Sequence, residues 1–337
     1  MKTTGMRALL GSALAVMLLA ASGCGGGSAS AGNGPVTVRV GYLKVIQWTQ
    51  LADLAAHVDP AKVKIELKEF KTSNEVLVAL TAGSVDIGDI GYNHLASALE
   101  RGQKNLEFIA GLSSKGSALI QRKGAGITSW SSLRGRKIGG SRGSTQYTQL
   151  ATGLKANGMD VNKDVQFVNL NSSTDMNIAL RNGDVDAIMQ WEPGASNAVI
   201  DGYGEPVPQI ASSLYQQTFQ VSSGVAARKE FVKDEPAAAQ AVVDGYFKSY
   251  NKVTSDHAYW IDTFAKLVQT DRKVLEAASK NAQPDLGMDQ QDIARMMKAL
   301  ADSGTTKKDM FGELKGQLDY TFIAKASGKS AQELGSS

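Results

Sequence analysis

Cysteine is almost absent: Cys24 is the single one in 337 residues. One thiol makes no disulfide framework and no cysteine-rich zinc site. Histidine is nearly as scarce, and His57, His94 and His257 are too far apart for an HExxH or comparable metal-ligand pairing. No GxSxG elbow marks a hydrolase nucleophile, and no P-loop lysine or GxGxxG marks a nucleotide site. These absences argue against an enzyme and leave no cofactor and no metal site to expect. Basic excess is also missing: the formal charge is +3, which gives no footprint for nucleic acid. No apolar run reaches the roughly 20 residues of a membrane-spanning helix.

What is present begins with an export segment. Lys2 and Arg7 precede the apolar stretch Ala8 to Ala21, and Ser22 and Gly23 then lead to Cys24. A basic start, a short apolar stretch and small residues before a cut describe a secretory leader, here residues 1–23. Cys24 directly after Ala21-Ser22-Gly23 is similar to a bacterial lipobox, with Ala in place of the usual Leu, and is the expected lipidation site. Removing Lys2 and Arg7 with the leader lowers the charge from +3 to +1. Residues 24–35 then form a lipidated cysteine and a Gly/Ser linker, whose reach of roughly 16–19 Å holds a globular body clear of the membrane. The protein is expected outside the cytoplasmic membrane, as a lipoprotein or in the periplasm, and as a monomer.

The body is organised around Gly139 to Leu150, where the strand residues Lys137 and Ile138 stop in a run of Gly and Ser and a helix begins at once. Ser144 or Thr145 caps it, Tyr147, Leu150, Ala151 and Leu154 recur at helical spacing, and Asn157-Gly158 ends it. Free N–H groups, two hydroxyls and the positive end of the helix dipole suit a small anion. Before this stretch, Val36 to Val40 and Val63 to Phe70 alternate as strands, Thr72 to Glu75 is a capping box, Gly83 is a helix stop, and Val85-Asp86-Ile87 starts another strand.

The same order returns one hundred residues later. Thr72 and Glu75 answer to Ser172 and Asp175, while Ala79, Leu80, Gly83, Val85 and Asp86 recur as Ala179, Leu180, Gly183, Val185 and Asp186. That period is far too long for a solenoid and predicts two α/β lobes of one design. Alternating strands and helices imply largely parallel sheets, and such sheets bind ligands beyond the carboxyl ends of their strands. Four loops qualify: Tyr42 to Trp48, Ile90 to Asn93, Ser141 to Gln146 and Gln190 to Pro193.

Leu119-Ile-Gln121 and Val221 to Ala227 each read as a strand crossing between lobes, which makes the second lobe an insertion in the first with two hinges. The expected boundaries are 36–124 and 220–326 for the first lobe and 125–219 for the second. From Asp234 the chain turns helical: Val242, Tyr246 and Tyr250 share a face, as do Ile293, Met296, Met297, Leu300 and Ala301. Residues 327–337 read as a flexible polar tail.

The lipobox, the VDIG strand after a helix-ending Gly, SLRGRKIGG, GSTQY at a helix start and DMNIALRNGDVDAIMQWEP together resemble substrate-binding lipoproteins of ABC importers for taurine, aliphatic sulfonates and nitrate. The likeness covers about residues 36–230. It implies the two-lobed periplasmic-binding-protein-like fold of type II, α/β in class, closing on a small anionic or zwitterionic solute and presenting it to an ABC permease and its ATPase. Position by position it implies ligand contacts at Ser144 and Thr145, with Ser141, Arg142 and Gln146 beside them, at Trp191 and Glu192, at Tyr92 and Asn93, and at Gln47 and Trp48. Opposed loops, one suited to an oxyanion and one carrying Glu192, favour a zwitterion such as taurine. Two further readings stay open: a sensing module for a membrane receptor, and an anchored enzyme resembling the thiamine-pyrimidine synthase type.

Overall fold

A computed structural model describes residues 34–337; the leader, Cys24 and most of the linker lie outside the described residues. Among the described residues eleven strands form two sheets. The first holds β1 (Val36–Tyr42), β2 (Val63–Glu69), β3 (Ile87–Gly91), β4 (Leu106–Lys115), β10 (Val221–Arg228) and β11 (Ala282–Pro284), in the order β11-β4-β10-β3-β1-β2. The second holds β5 (Ser117–Arg122), β6 (Lys137–Gly140), β7 (Gln166–Asn169), β8 (Ala187–Trp191) and β9 (Gly204–Pro206), in the order β7-β6-β8-β5-β9. In the first sheet β1, β2, β3 and β4 run one way and β10 and β11 the other; in the second β6, β7, β8 and β9 run one way and β5 the other. This is the two-lobed architecture expected, with one strand of each sheet arriving from the other lobe.

The sequence repeat has a physical basis. Thr72 Oγ1 accepts from Glu75 N at the start of α1 (Ser73–Thr81), and Ser172 Oγ accepts from Asp175 N at the start of a second helix, Ser173–Asn182. Gly83 and Gly183 follow these helices with φ of +73° and +79°, a conformation that favours glycine. Asp86 Oδ2 accepts from Arg39 N at 3.0 Å, and Asp186 Oδ2 accepts from Lys137 N at 2.9 Å, so the matched aspartates tie the start of β3 to β1 and the start of β8 to β6.

Two expected crossings are corrected. Leu119-Ile-Gln121 lies inside β5, paired with β8 and β9, and Val221 to Ala227 lies inside β10, paired with β3 and β4. The chain changes sheets just before each, at Lys115-Gly116 and at Thr218 to Gln220, because both strands are needed to complete the sheet they enter. β5 therefore belongs to the second sheet, and the connection precedes the boundary expected at residue 124. The helical carboxyl-terminal third packs on the first sheet, with Val242, Tyr246, Ile293, Met296, Met297 and Leu300 all buried and Ala301 and Tyr250 half-buried. The tail also differs from expectation. Leu334 is 2% exposed, and Met288 N and Gln290 N donate to Leu334 O and Gly335 O at 2.8 and 2.9 Å. One apolar residue and two backbone bonds received from the 288–290 segment anchor a segment that composition alone marks as mobile.

Candidate functional site

Residues beyond the carboxyl ends of β1, β2, β3, β6 and β8 line one cleft between the sheets, joined by Ser222 and Ser223 from the start of β10. Two helices point their N-termini into it. α1 supplies Thr72, Ser73 and Asn74 from the first lobe; α3 (Thr145–Ala156) supplies Ser144, Thr145 and Gln146 from the second, with α2 (Tyr92–Glu100) starting beside it. Ser144 Oγ caps α3 by accepting from Tyr147 N at 3.1 Å. The N–H groups of Ser73, Asn74, Thr145 and Gln146 find no acceptor among the described residues, as first-turn donors do unless something is brought to them. The side walls are Leu43, Val45, Trp48 and Trp191, and Lys71 stands exposed at the rim. The inner lining contains no aspartate or glutamate, while Glu69, Glu75 and Asp175 stand in the outer space that opens beyond Lys71, Thr72 and Trp191. Its volume is about 60 Å³, and a single water needs roughly 10–15 Å³, so the cleft takes a solute of a few heavy atoms.

Of the residues singled out from sequence, Gln47, Trp48, Ser141, Ser144, Thr145, Gln146 and Trp191 come together in this lining. Four do not. Tyr92 is core, 1% exposed, with its ring 4.6 Å from that of Phe108. Asn93 lies behind the wall, where its Nδ2 donates to Gly143 O at 2.7 Å and its Oδ1 accepts from Thr145 Oγ1 at 3.1 Å, tying the two lobes. Arg142 is exposed, its guanidinium 5.0 Å from the centre of the Tyr147 ring and bonded to the Tyr147 hydroxyl.

Glu192 is the largest departure. It is 3% exposed, lines a separate apolar cavity, and accepts from Ser196 N at 3.0 Å and from Asn281 Nδ2 at 3.3 Å. Neighbours at a strand end face opposite ways, so Trp191 turns to the cleft and Glu192 turns away from it. Burial pushes the Glu192 carboxyl above its usual range, against the pull of its bonds to Ser196 and Asn281.

Several lining residues escaped the sequence reading. The strand-end rule applied to β2 points to Lys71 through Asn74, and the capping box there was the available signal. His94 falls one residue past the Ile90 to Asn93 loop. Ser222 and Ser223 are legible only once β10 is placed in the centre of the first sheet. His94 is 7% exposed, and burial lowers its pKa to about 4, so near pH 7 its imidazole is neutral. Gly91 admits no side chain: a Cβ there falls 2.9 Å from His94 Nδ1 and 3.1 Å from Thr145 Oγ1, which brings the α2 and α3 starts into close approach. No group of three or more His, Cys, Asp or Glu suited to a metal occurs among the described residues.

The NMT1/THI5-like family model matches residues 60–257, more than half of the chain. The chain belongs to that family. Within it, the chain is similar to a putative aliphatic sulfonates-binding protein of Bacillus subtilis, 25% identical over 326 residues, covering 93% of this chain and 95% of that protein. Among solved structures, the periplasmic aliphatic sulphonate binding protein SsuA of Escherichia coli superposes with a TM-score of 0.69 at 20% identity, over 84% of this chain and 92% of that one. The desulfurization enzyme DSZB shares the fold with a TM-score of 0.63 at 14% identity, over 87% and 99% of the two chains. The fold thus serves binding proteins and an enzyme alike, and the site must separate them.

Proposed function

We propose that this NMT1/THI5-like protein is an extracytoplasmic solute-binding component of an ABC importer that captures a short-chain sulfonate and hands it to a membrane permease. The observation that carries the reading is the pair of helix N-termini, one from each lobe, which aim unpaired N–H groups into an inner cleft without carboxylates. A sulfonate stays ionised throughout the physiological range and offers three acceptor oxygens, enough to bridge donors on both lobes. Trp48, Trp191, Leu43 and Val45 supply apolar surface for a carbon chain, which nitrate lacks. The sulfonate-binding relative in B. subtilis supports the same class. Taurine fits less well than the sequence suggests, because its ammonium loses the partner that Glu192 was expected to supply. The lining offers hydroxyls, amides, one imidazole and one lysine but neither cysteine nor carboxylate, which favours binding over covalent or acid–base chemistry.

Calorimetry with ethanesulfonate, nitrate and acetate tests the reading. Ethanesulfonate is expected to bind and the two smaller anions to bind at least tenfold more weakly. Nitrate binding as tightly as ethanesulfonate, or no heat from any sulfonate at millimolar concentration, overturns it. The proposed lipid anchor has its own check. Cys24→Ala is expected to move the protein from the membrane fraction to the soluble one, and retention in the membrane rules the anchor out.

A further inference from the structure

Several polar side chains of the cleft are already engaged by the protein. Trp48 Nε1 donates to Ser113 Oγ at 2.7 Å, Gln146 Nε2 donates to Ser117 Oγ at 3.0 Å, and Thr145 Oγ1 donates to Asn93 Oδ1 at 3.1 Å. Among the unengaged ones, two hold a buried polar atom without a partner: Gln47 is 1% exposed and its Oε1, beside Gly116, has no hydrogen-bond partner, and His94 is 7% exposed and its Nδ1, beside Gly91, has none of good geometry. Both line the same small cleft. Buried polar atoms are nearly always paired, so two unpaired ones on one cavity mark hydrogen-bonding capacity held for what enters it.

We propose that the solute carries a hydroxyl group close to its sulfonate, and that Gln47 and His94 are the residues that receive it and so set specificity among sulfonates. The proposal rests on the sulfonate reading of the same cleft. A hydroxyl both donates and accepts: it donates to Gln47 Oε1, and a neutral imidazole completes its other bond. An alkyl chain entering instead leaves both side chains dry and unpaired, the costliest outcome for a buried polar group. An ammonium donates to Gln47 Oε1 but has no lone pair to accept from the imidazole N–H, and a buried cation also needs a paired anion. No carboxylate lines the inner cleft: Glu69, Glu75 and Asp175 stand in the outer space beyond Lys71, Thr72 and Trp191, Glu192 opens on another cavity, and Asp89 is fully buried behind Leu43, whose N–H donates to its Oδ2 at 2.9 Å. The geometry therefore selects a neutral hydroxyl over an amine.

The test is calorimetry at pH 7 with ethanesulfonate, 2-hydroxyethanesulfonate and taurine. The hydroxylated compound is expected to bind roughly ten- to a hundredfold more tightly than ethanesulfonate, the worth of the recovered hydrogen bonds. In Gln47→Met and in His94→Leu the ratio of those two affinities is expected to fall toward one. Ethanesulfonate binding as tightly as its hydroxylated analogue, taurine binding most tightly, or a ratio unchanged in both folded variants overturns the hydroxyl assignment. The ligand series on the unaltered protein decides the matter even where a variant fails to fold. If none of the three compounds binds, the sulfonate reading itself falls, an outcome distinct from a loss of discrimination between them.

Discussion

Ser144 serves two ends with one oxygen: it caps α3 through Tyr147 N and stands in the wall of the cleft. The two roles separate by substitution. Ser144→Ala is expected to cost about 1 kcal/mol of stability from the lost cap and to weaken ethanesulfonate as well. Ser144→Asp keeps a good cap, so its urea midpoint is expected near that of the wild type, yet it sets a carboxylate in the anion's path and is expected to abolish binding. Binding by Ser144→Asp at wild-type strength removes the hydroxyl from the site. Glu192 makes a complementary case, since it lies outside the cleft. Its carboxyl titrates above the ordinary value of 4.5 in the folded protein because burial penalises the charge. The folded state then holds a proton that the unfolded chain has released, so this residue's contribution becomes less favourable as pH rises from about 4.5 through the raised folded value. Glu192→Gln is expected to flatten that part of the pH–stability curve and leave ethanesulfonate affinity unchanged; a steeper curve, or a lost ligand, contradicts the placement.

The elements were the most legible part of the sequence, because their signals are local. Thr72, Ser144 and Ser172 cap helices at the positions their residue types announce, and Gly83 and Gly183 close the two repeated ones. What stayed hidden depends on the face a side chain takes or on a distant partner. Tyr92 turns inward to Phe108, Glu192 turns from the cleft that Trp191 enters, and Leu334 docks under Met288 through backbone bonds that its polar surroundings do not suggest. α3 contains a further instance. Gly153 sits mid-helix, where alanine is ordinarily better by about 1 kcal/mol, but a Cβ there falls 2.1 Å from the ring of fully buried Trp130. Overpacking of that kind costs about 1–3 kcal/mol and wins. Gly153→Ala is expected to lower the urea midpoint, and Trp130→Phe in the same chain to recover part of the loss; a gain in stability from Gly153→Ala alone assigns the glycine no packing role.

At the scale of the molecule, the two lobes are joined where the chain changes sheets, at Lys115-Gly116 and Thr218 to Gln220, and these connections lie side by side, with Lys115 N donating to Gln220 O at 2.8 Å. Gly116 has φ of +82°, and a Cβ there falls 2.2 Å from Gln47 Nε2, so the first connection passes directly behind the cleft. A pair of adjacent connections is the geometry of a hinge, and rotation about it must break whatever else spans the lobes. Asn93 is the principal tie at the cleft, bonded to both Gly143 and Thr145. A ligand held between lobes gains affinity from every bond that favours the joined arrangement over the parted one. Asn93→Ala removes two such bonds while altering no lining side chain, although it frees the Thr145 hydroxyl. Its effect is expected mainly in release: ethanesulfonate should dissociate roughly tenfold faster or more, the worth of one to two hydrogen bonds, while association changes little. Small-angle scattering of the ligand-free variant is expected to show a larger radius of gyration than wild type, and saturating ethanesulfonate to bring the two together. A radius indifferent both to ligand and to Asn93→Ala, with unchanged dissociation, makes the cleft a rigid preformed pocket and Asn93 an ordinary buried amide.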